Sequence, residues 1–286
     1  MALTNTTTLN DLLPSIVAEA LFVASEKSIM RGLVRNYTLA PGNGKTVTVP
    51  IYPQVTAAAL TEATAPSTTT VSTDGATLTV SEVGLLATIS DLSMMASASN
   101  VVSDIGRLFG EAIARKIDGD LMVLFNSFAT NTVGGVSTTA TAALLFQAIA
   151  KLRSQGYDTA NDCAIVLHPA VAYDVASTLT STFAAPASMI GNDALRNGFM
   201  GTLGGVPVYQ SSLVPQSTLS SNASGDYGCG VFHKDALGLA IMQDIKIETQ
   251  RQAGIRGYDI VGSAIYGTGE LYDNAGVLAT FDSSIV

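Results

Sequence analysis

From Asn100 to about Phe128 the apolar residues Ile105, Leu108, Phe109, Ala112, Ile113, Ile117, Leu121, Leu124 and Phe125 recur at steps of three and four. That is the period of one helix face, and it predicts a long helix serving as a spine for strands from both ends of the chain. Asn100 or Ser103 offers a short polar side chain able to cap its first turn. Glu111 stands four residues before Arg115, an ion pair expected on the solvent side. Gly106, Gly110 and Gly119 each weaken a helix relative to alanine, so a closely packed neighbour is expected against them.

Residues 9–30 repeat the helical pattern, with Leu9, Leu12, Leu13, Ile16, Val17, Ala20, Leu21 and Ala24 on one stripe. The polar side lacks the basic residues of a membrane-surface helix, so this N-terminal arm is expected to pack on a neighbouring protein surface. From Lys45 the period changes to two. Val47, Val49 and Ile51 alternate with Thr46, Thr48 and Pro50, an edge strand because of the proline. Ala76, Leu78 and Val80 alternate with Thr77, Thr79 and Ser81 in a matching strand expected to continue to about Ile89. Between the two lies a stretch of Ala, Thr and Ser over residues 53–75. Connections so long are usually functional or mobile, and a two-stranded ribbon is marginal alone. A projecting arm that gains its order by lying on another subunit is predicted.

After the spine, residues 138–155 give a second helix ending at Gly156 in the manner of a glycine cap. Residues 163–167 read as a short buried strand, followed by a helix with Pro169 in its first turn running to about Leu179. Gly204-Gly205-Val206-Pro207-Val208-Tyr209 is a turn entering a strand. From Tyr227 the pattern is mostly β, with strands at 230–233, 239–242, 246–250, 257–266 and 276–281.

Composition sharpens this picture. Of 286 residues only 13% are charged, against about 25% for an ordinary soluble domain. Hydrophobic residues reach 47% and the mean hydropathy is +0.36. No apolar run approaches the roughly 18 residues of a bilayer span. A surface so poor in charge is expected to be covered by other copies or partners. The first thirteen residues lack a basic leader ahead of an apolar core, so no secretory signal is expected. The net charge of -9, with no lysine and arginine cluster, argues against phosphate-neutralising nucleic-acid binding.

Cys163 and Cys229 are isolated, so no zinc site or disulfide framework is indicated, and they read as small buried hydrophobes; a single pairing between them stays open. Gly42-Asn43-Gly44-Lys45-Thr46 shares the end of a phosphate-binding loop but has Leu39 in place of its first glycine and a strand in place of its helix, so it reads as a tight turn. Gly267-Thr268-Gly269 lacks the third glycine of a dinucleotide fingerprint. His168 and His233 sit at the ends of apolar strands, where a hydrolase could use one with Cys163 or a serine, although no catalytic set is linked to either. Asp118 and Asp120 are two apart on the spine and cannot share a helix face, so solvated charges are expected. Asp226, Asp235 and Asp244 are too widely spaced for a calcium loop and are expected at turns. No cofactor, catalytic or metal residues are assigned.

The order of parts resembles the major capsid proteins of tailed bacteriophages: arm, long ribbon, spine, second helix, α/β region and final β region. The segments Leu203-Gly204-Gly205-Val206-Pro207-Val208 and Tyr272-Asp273-Asn274-Ala275-Gly276-Val277 are the most familiar local signatures. The resemblance implies an α+β chain of the Hong Kong 97-type (HK97-like) capsid fold. Its arm would span residues 1–40, its extended loop 41–90, a peripheral domain with the spine 91–137, and an axial domain about 138–245. Return strands of the peripheral domain would occupy 246–286. It further implies self-assembly into pentamers and hexamers of an icosahedral shell around double-stranded DNA, in a virion assembled in the host cytoplasm. Scaffolding, portal and decoration proteins are the further partners it suggests. Some relatives crosslink an extended-loop lysine to a neighbour's asparagine; here the loop tip has none and Lys45 lies at its base, so no such bond is expected. Interface residues are expected at Leu12, Leu13 and Ile16 of the arm, at Thr61, Glu62, Thr64, Thr68 and Thr69 of the ribbon tip, and at Glu111 and Arg115 of the spine. Two alternatives stand beside this one: an encapsulin-type nanocompartment shell of the same fold, and a hydrolase using His168 or His233. A secreted adhesin would suit the threonine-rich loops but not the missing signal.

Overall fold

The computed structural model describes residues 28–42, 44–52, 57, 59, 74–96, 101–159, 162–182, 201–217 and 225–285. In chain order, β1 (Arg35–Thr38) leads to a ribbon of β2 (Thr46–Ile51) and β3 (Asp74–Thr79), then β4 (Ser81–Ser90), a short α1 (Asp91–Ala96) and the spine α2 (Val101–Val123). A 3-10 turn over Leu124–Ser127 ends the spine. There follow β5 (Thr132–Thr139), α3 (Ala142–Ser154), β6 (Cys163–Leu167), α4 (Pro169–Thr182), β7 (Thr202–Leu203), β8 (Val206–Gln210) and β9 (Asp226–His233). Three strands close the chain: β10 (Leu237–Gln252), β11 (Gly257–Glu270) and β12 (Gly276–Asp282).

The spine forms where its period places it. Phe109, Ile113, Ile117 and Leu121 are buried, and each contributes about 1.5–3 kcal/mol by leaving water. Leu108, counted in the same stripe, lies off the packed face and is exposed. The helix begins at Val101, which leaves Ser103 inside it, while Asn100 lies outside the described residues. Gly106 and Gly110 are buried, but a side chain added at Gly119 would meet nothing within 4 Å, so no close neighbour explains that glycine. The ion pair on the solvent side joins Lys116 to Asp120 at 2.6 Å; none joins Glu111 to Arg115 among the described residues.

Asp118 is not a solvated charge. It is buried, and its Oδ1 accepts from Ser28 Oγ (2.7 Å) and the Met30 amide (3.3 Å) while Oδ2 accepts from the Ile29 amide (2.8 Å). The chain entering β1 is thereby tied to the middle of the spine. Burial raises the Asp118 carboxyl above its ordinary value, opposed by these hydrogen bonds. Asp120, two residues on, meets Tyr266 Oη at 2.8 Å instead.

Two larger sheets divide the strands. One has the order β1-β10-β11-β4 and packs one face on the spine; the other has the order β5-β12-β9-β6-β8-β7. In the second sheet β6 is buried along its whole length, as its unbroken apolar run predicts for a strand with neighbours on both edges and cover on both faces. Its parallel pairing with β8 follows from the crossover through α4. α3 starts with Thr141 accepting from the Leu144 amide and ends at Gly156, whose φ of +86° permits the closing turn.

Three boundaries differ from the sequence reading. The matching strand expected from Ala76 to about Ile89 divides at Val80: β3 pairs with β2, whereas β4 pairs antiparallel with β11. Val80 is buried there, and this burial draws the chain out of the ribbon and into the sheet. β1, placed in the arm by sequence, pairs parallel with β10. The closing strands do not all return to one sheet, since β10 and β11 join the spine-backed sheet while β12 lies between β5 and β9 in the other. Val277, Leu278, Ala279 and Phe281 are buried on both faces there, and a strand so apolar is stable only at a sheet centre.

Candidate assembly surfaces

The ribbon's attachment is built from glycines. β11 turns one face to the spine, where Gly262 meets Phe109 and Tyr266 reaches Asp120, and the other to β3. On that second face a Cβ at Gly267 would lie 2.2 Å from the Thr79 carbonyl oxygen, and one at Gly269 would lie 2.5 Å from Leu78 Cδ2. Gly238 stands opposite Gly269 in the register, and a Cβ there would be 3.0 Å from Leu78 Cδ1. Leu78 is 1% exposed and fills the floor left by these missing side chains, beside Leu39, Val80, Ala240 and Leu271. The Val80 amide donates to the Lys45 carbonyl at 2.9 Å, closing the ribbon's base. Gly42 and Gly44 both have positive φ and make the tight turn that enters β2. The sequence reading ended this strand at residue 266 and left Gly267 and Gly269 outside it, whereas β11 runs to Glu270; two glycines two apart in an extended run are the signal of close backbone approach that it missed.

Beyond the ribbon base the same sheet face opens to solvent. Leu86 and Val261 are paired across β4 and β11 and exposed, and β4 is the edge of its sheet. Leu92 and Met95 on α1 are also exposed. An edge that is unpaired among the described residues and carries apolar side chains is suited to contact with another chain.

Of the interface residues expected from sequence, Glu111 is half-buried and Arg115 exposed on the spine, where Asp104, Arg107 and Leu108 continue the exposed strip. Leu12, Leu13, Ile16, Thr61, Glu62, Thr64, Thr68 and Thr69 lie outside the described residues.

His168, Cys163 and Cys229 sit as packing groups, whereas His233 lies 3.6 Å from the Asp235 carboxylate. His168 stacks on Tyr227 with ring centroids 3.7 Å apart, and its Nδ1 accepts from the Ala170 amide. Burial lowers its pKa from the ordinary value. His233 lies 5.2 Å from the Tyr157 ring, and its Nδ1 accepts from the Asp235 amide at 3.3 Å. Cys163 faces His233 in the strand register, yet its thiol donates to the Asp158 carbonyl and burial pushes it up to about 12. Cys229 is likewise pushed up to about 12 by burial, and both cysteines are free thiols. Neither supplies a thiolate near neutral pH. Among the described residues no three His, Cys, Asp or Glu side chains gather to hold a metal ion, and no helix is long and apolar enough to cross a membrane.

Carboxylates that sequence reading placed at turns or on solvated surfaces, or did not single out at all, work as internal ties. Asp174 accepts from the Ser284 amide (2.9 Å), Asp226 from the Ser137 amide (3.0 Å) and Asp259 from Thr88 Oγ1 (2.6 Å). Each joins segments remote in the chain, so no local signal announces it.

With this geometry the chain matches known structures over nearly its whole length. The capsid structure of the cyanophage P-SCSP1u superposes with a TM-score of 0.70 at 17% identity, covering 90% of this chain and 89% of that one. The capsid of a native GTA particle gives 0.68 at 13% identity with 91% of each chain covered. Microbacterium phage Oxtober96 gives 0.67 at 13%, covering 90% of this chain and 91% of the other. At these identities the likeness is one of fold, the α+β Hong Kong 97-type. No curated protein matches the sequence significantly. Residues 75–279 match the family described as phage capsid protein. That match spans more than half of the sequence, and the chain belongs to the phage capsid protein family.

Proposed function

We propose that this chain is the major capsid protein of a tailed bacteriophage, assembling with copies of itself into pentamers and hexamers of an icosahedral shell around double-stranded DNA. The observation that carries the reading is the ribbon seated by Leu78 on the glycine floor of β10 and β11, joined to a capsid fold. Among the described residues the ribbon is held to the body through β3, and in this reading the segment between Ile51 and Asp74 meets other subunits. Leu12, Leu13 and Ile16 of the arm and the ribbon tip, including Thr61, Glu62, Thr64, Thr68 and Thr69, overlay neighbours, and Glu111 and Arg115 contribute contacts near the spine. The net charge of -9 suits a wall that encloses DNA without adhering to it. Scaffolding, portal and decoration proteins are the further partners of such a shell, and assembly takes place in the host cytoplasm.

The domain assignment accompanies this reading. The spine and the sheet of β1, β10, β11 and β4 form the peripheral part, and the sheet from β5 to β12 forms the axial part. The test is electron microscopy and size-exclusion chromatography of the purified chain beside a chain lacking residues 57–72. The full chain should give closed shells or discrete pentamers and hexamers, and the deletion a soluble chain that closes none. Normal particles from the deletion would remove the ribbon from the mechanism.

A further inference from the structure

The chain passes between the two sheets at three places: from the spine to β5 through residues 124–131, from β9 to β10 through residues 234–236, and from β11 to β12 through residues 271–275. These crossings are gathered at one junction. Phe125 and Phe128 are buried in it, where a Cβ at Gly230 would lie 2.7 Å from Phe125 and one at Gly276 2.4 Å from Phe128. Asp273 joins the third crossing to the first. Its carboxylate accepts from the Ala129 amide (2.9 Å), the Thr130 amide (3.0 Å) and Thr130 Oγ1. The Ala236 carbonyl accepts from the Leu271 and Tyr272 amides and ties the second crossing to the third.

We infer that Asp273 is a positioning residue that latches the first crossing to the third, to which the Ala236 carbonyl ties the second, and so fixes the angle between the two sheets. Apolar packing around Phe125 and Phe128 resists separation but tolerates sliding, whereas hydrogen bonds to two successive amides and a hydroxyl have one direction. The junction also holds an uncompensated group. Among the described residues Asn126 Oδ1 is the buried side-chain oxygen with no hydrogen-bond partner, and it lies where a Cβ at Gly228 would come within 2.4 Å. Asn126 Nδ2 donates to the Gln216 carbonyl at 3.2 Å, so the turn has a side-chain tie toward residue 216 as well, and Asp273 supplies its tie to the third crossing. Glu270, close by, is raised above its ordinary value by burial and further by repulsion from the Asp273 charge. The inference rests on the assembly reading only for its consequence: the angle between the sheets sets the curvature of the subunit and hence the size of the shell.

The experiment uses the full chain with Asp273→Ala and, as a milder change, Thr130→Val. Hydrogen exchange in unassembled subunits should show the Ala129 and Thr130 amides of Asp273→Ala exchanging about tenfold faster or more, as for loss of a charge-assisted hydrogen bond. Thr130→Val should give a smaller change in the same direction, and amides of β9 and β12 should keep their protection in both. Assembled particles of Asp273→Ala should depart from the wild-type diameter or remain open. Unchanged exchange at residues 129–130 overturns the latch, as does uniform loss of protection across both sheets, which would make Asp273 a general stabiliser. Wild-type diameter in the variant removes the consequence for curvature. A wild-type chain that forms no shell counts against the assembly reading, while the exchange result still judges the latch.

Discussion

Truncating Leu78 to alanine should free the ribbon and leave the rest of the fold standing. The side chain is 1% exposed and rests on Gly238 and Gly269, with Leu271 beside it. Three carbons leave an apolar site, about 2.4 kcal/mol at about 0.8 kcal/mol per methylene. Glycines have no side chains to close the gap, so the cavity term adds nearly in full, which places the loss in the upper part of the roughly 2–5 kcal/mol range for buried leucine truncations. The ribbon meets the body chiefly at β3, so this energy appears as local opening rather than global unfolding. A loss of about 3–5 kcal/mol corresponds to a rise of roughly 150- to 5,000-fold in exchange of the β2 and β3 ladder amides, limited by how often the ribbon already opens. Hydrogen exchange by mass spectrometry on unassembled subunits reads this directly, with β9 and β12 as internal reference. Gly269→Ala alone should also destabilise the ribbon, because its Cβ falls 2.5 Å from Leu78 Cδ2. Combined with Leu78→Ala it should cost less than the sum, since the new methyl occupies part of the cavity. Equal exchange in ribbon and reference strands, or strict additivity of the two changes, would refute the account of Leu78 as a plug over glycines.

Two pH experiments test other groups. Burial raises the Asp118 carboxyl, so between its unfolded value near 3.8 and its native value the folded chain holds more protons than the unfolded one. Its contribution to stability therefore grows as pH falls through that window and is complete below the unfolded value. Urea melts at pH 7 and pH 4 should show wild type gaining on Asp118→Asn as pH is lowered; the opposite trend would mean the three hydrogen bonds outweigh burial. For His168 the sign reverses. Burial lowers its folded pKa below 6.5, so its contribution is fully present above 6.5 and is lost as pH falls. His168→Phe keeps the stack on Tyr227 and removes the titration, so wild type should lose stability relative to the variant between about pH 7.5 and 5.5. A constant difference would show that the imidazole is not desolvated.

Legibility followed the range of the forces involved. The spine, α3, β6 and the turn at Gly204 and Gly205 were readable because each rests on a period or on a backbone requirement carried within a dozen residues. The two histidines were readable as strand-end residues for the same reason. Gly267 and Gly269 were not read as strand glycines, because the apolar alternation ends at Tyr266, and their partner Leu78 came from a strand nearly two hundred positions away. Asp118 was misread because a carboxylate on a helix has the same sequence whether water or the Ile29 and Met30 amides satisfy it.

The sequence by itself determined the elements, the ribbon's existence, the low surface charge and the family these parts resemble, since helix and strand periods and glycine turns are set by local sterics and by the alternation of apolar and polar residues. Tertiary structure alone decided which sheet each strand joined. The buried run of β12 satisfies the pattern of either sheet, and only its neighbours β5 and β9, supplying backbone partners on both edges and cover on both faces, chose between them.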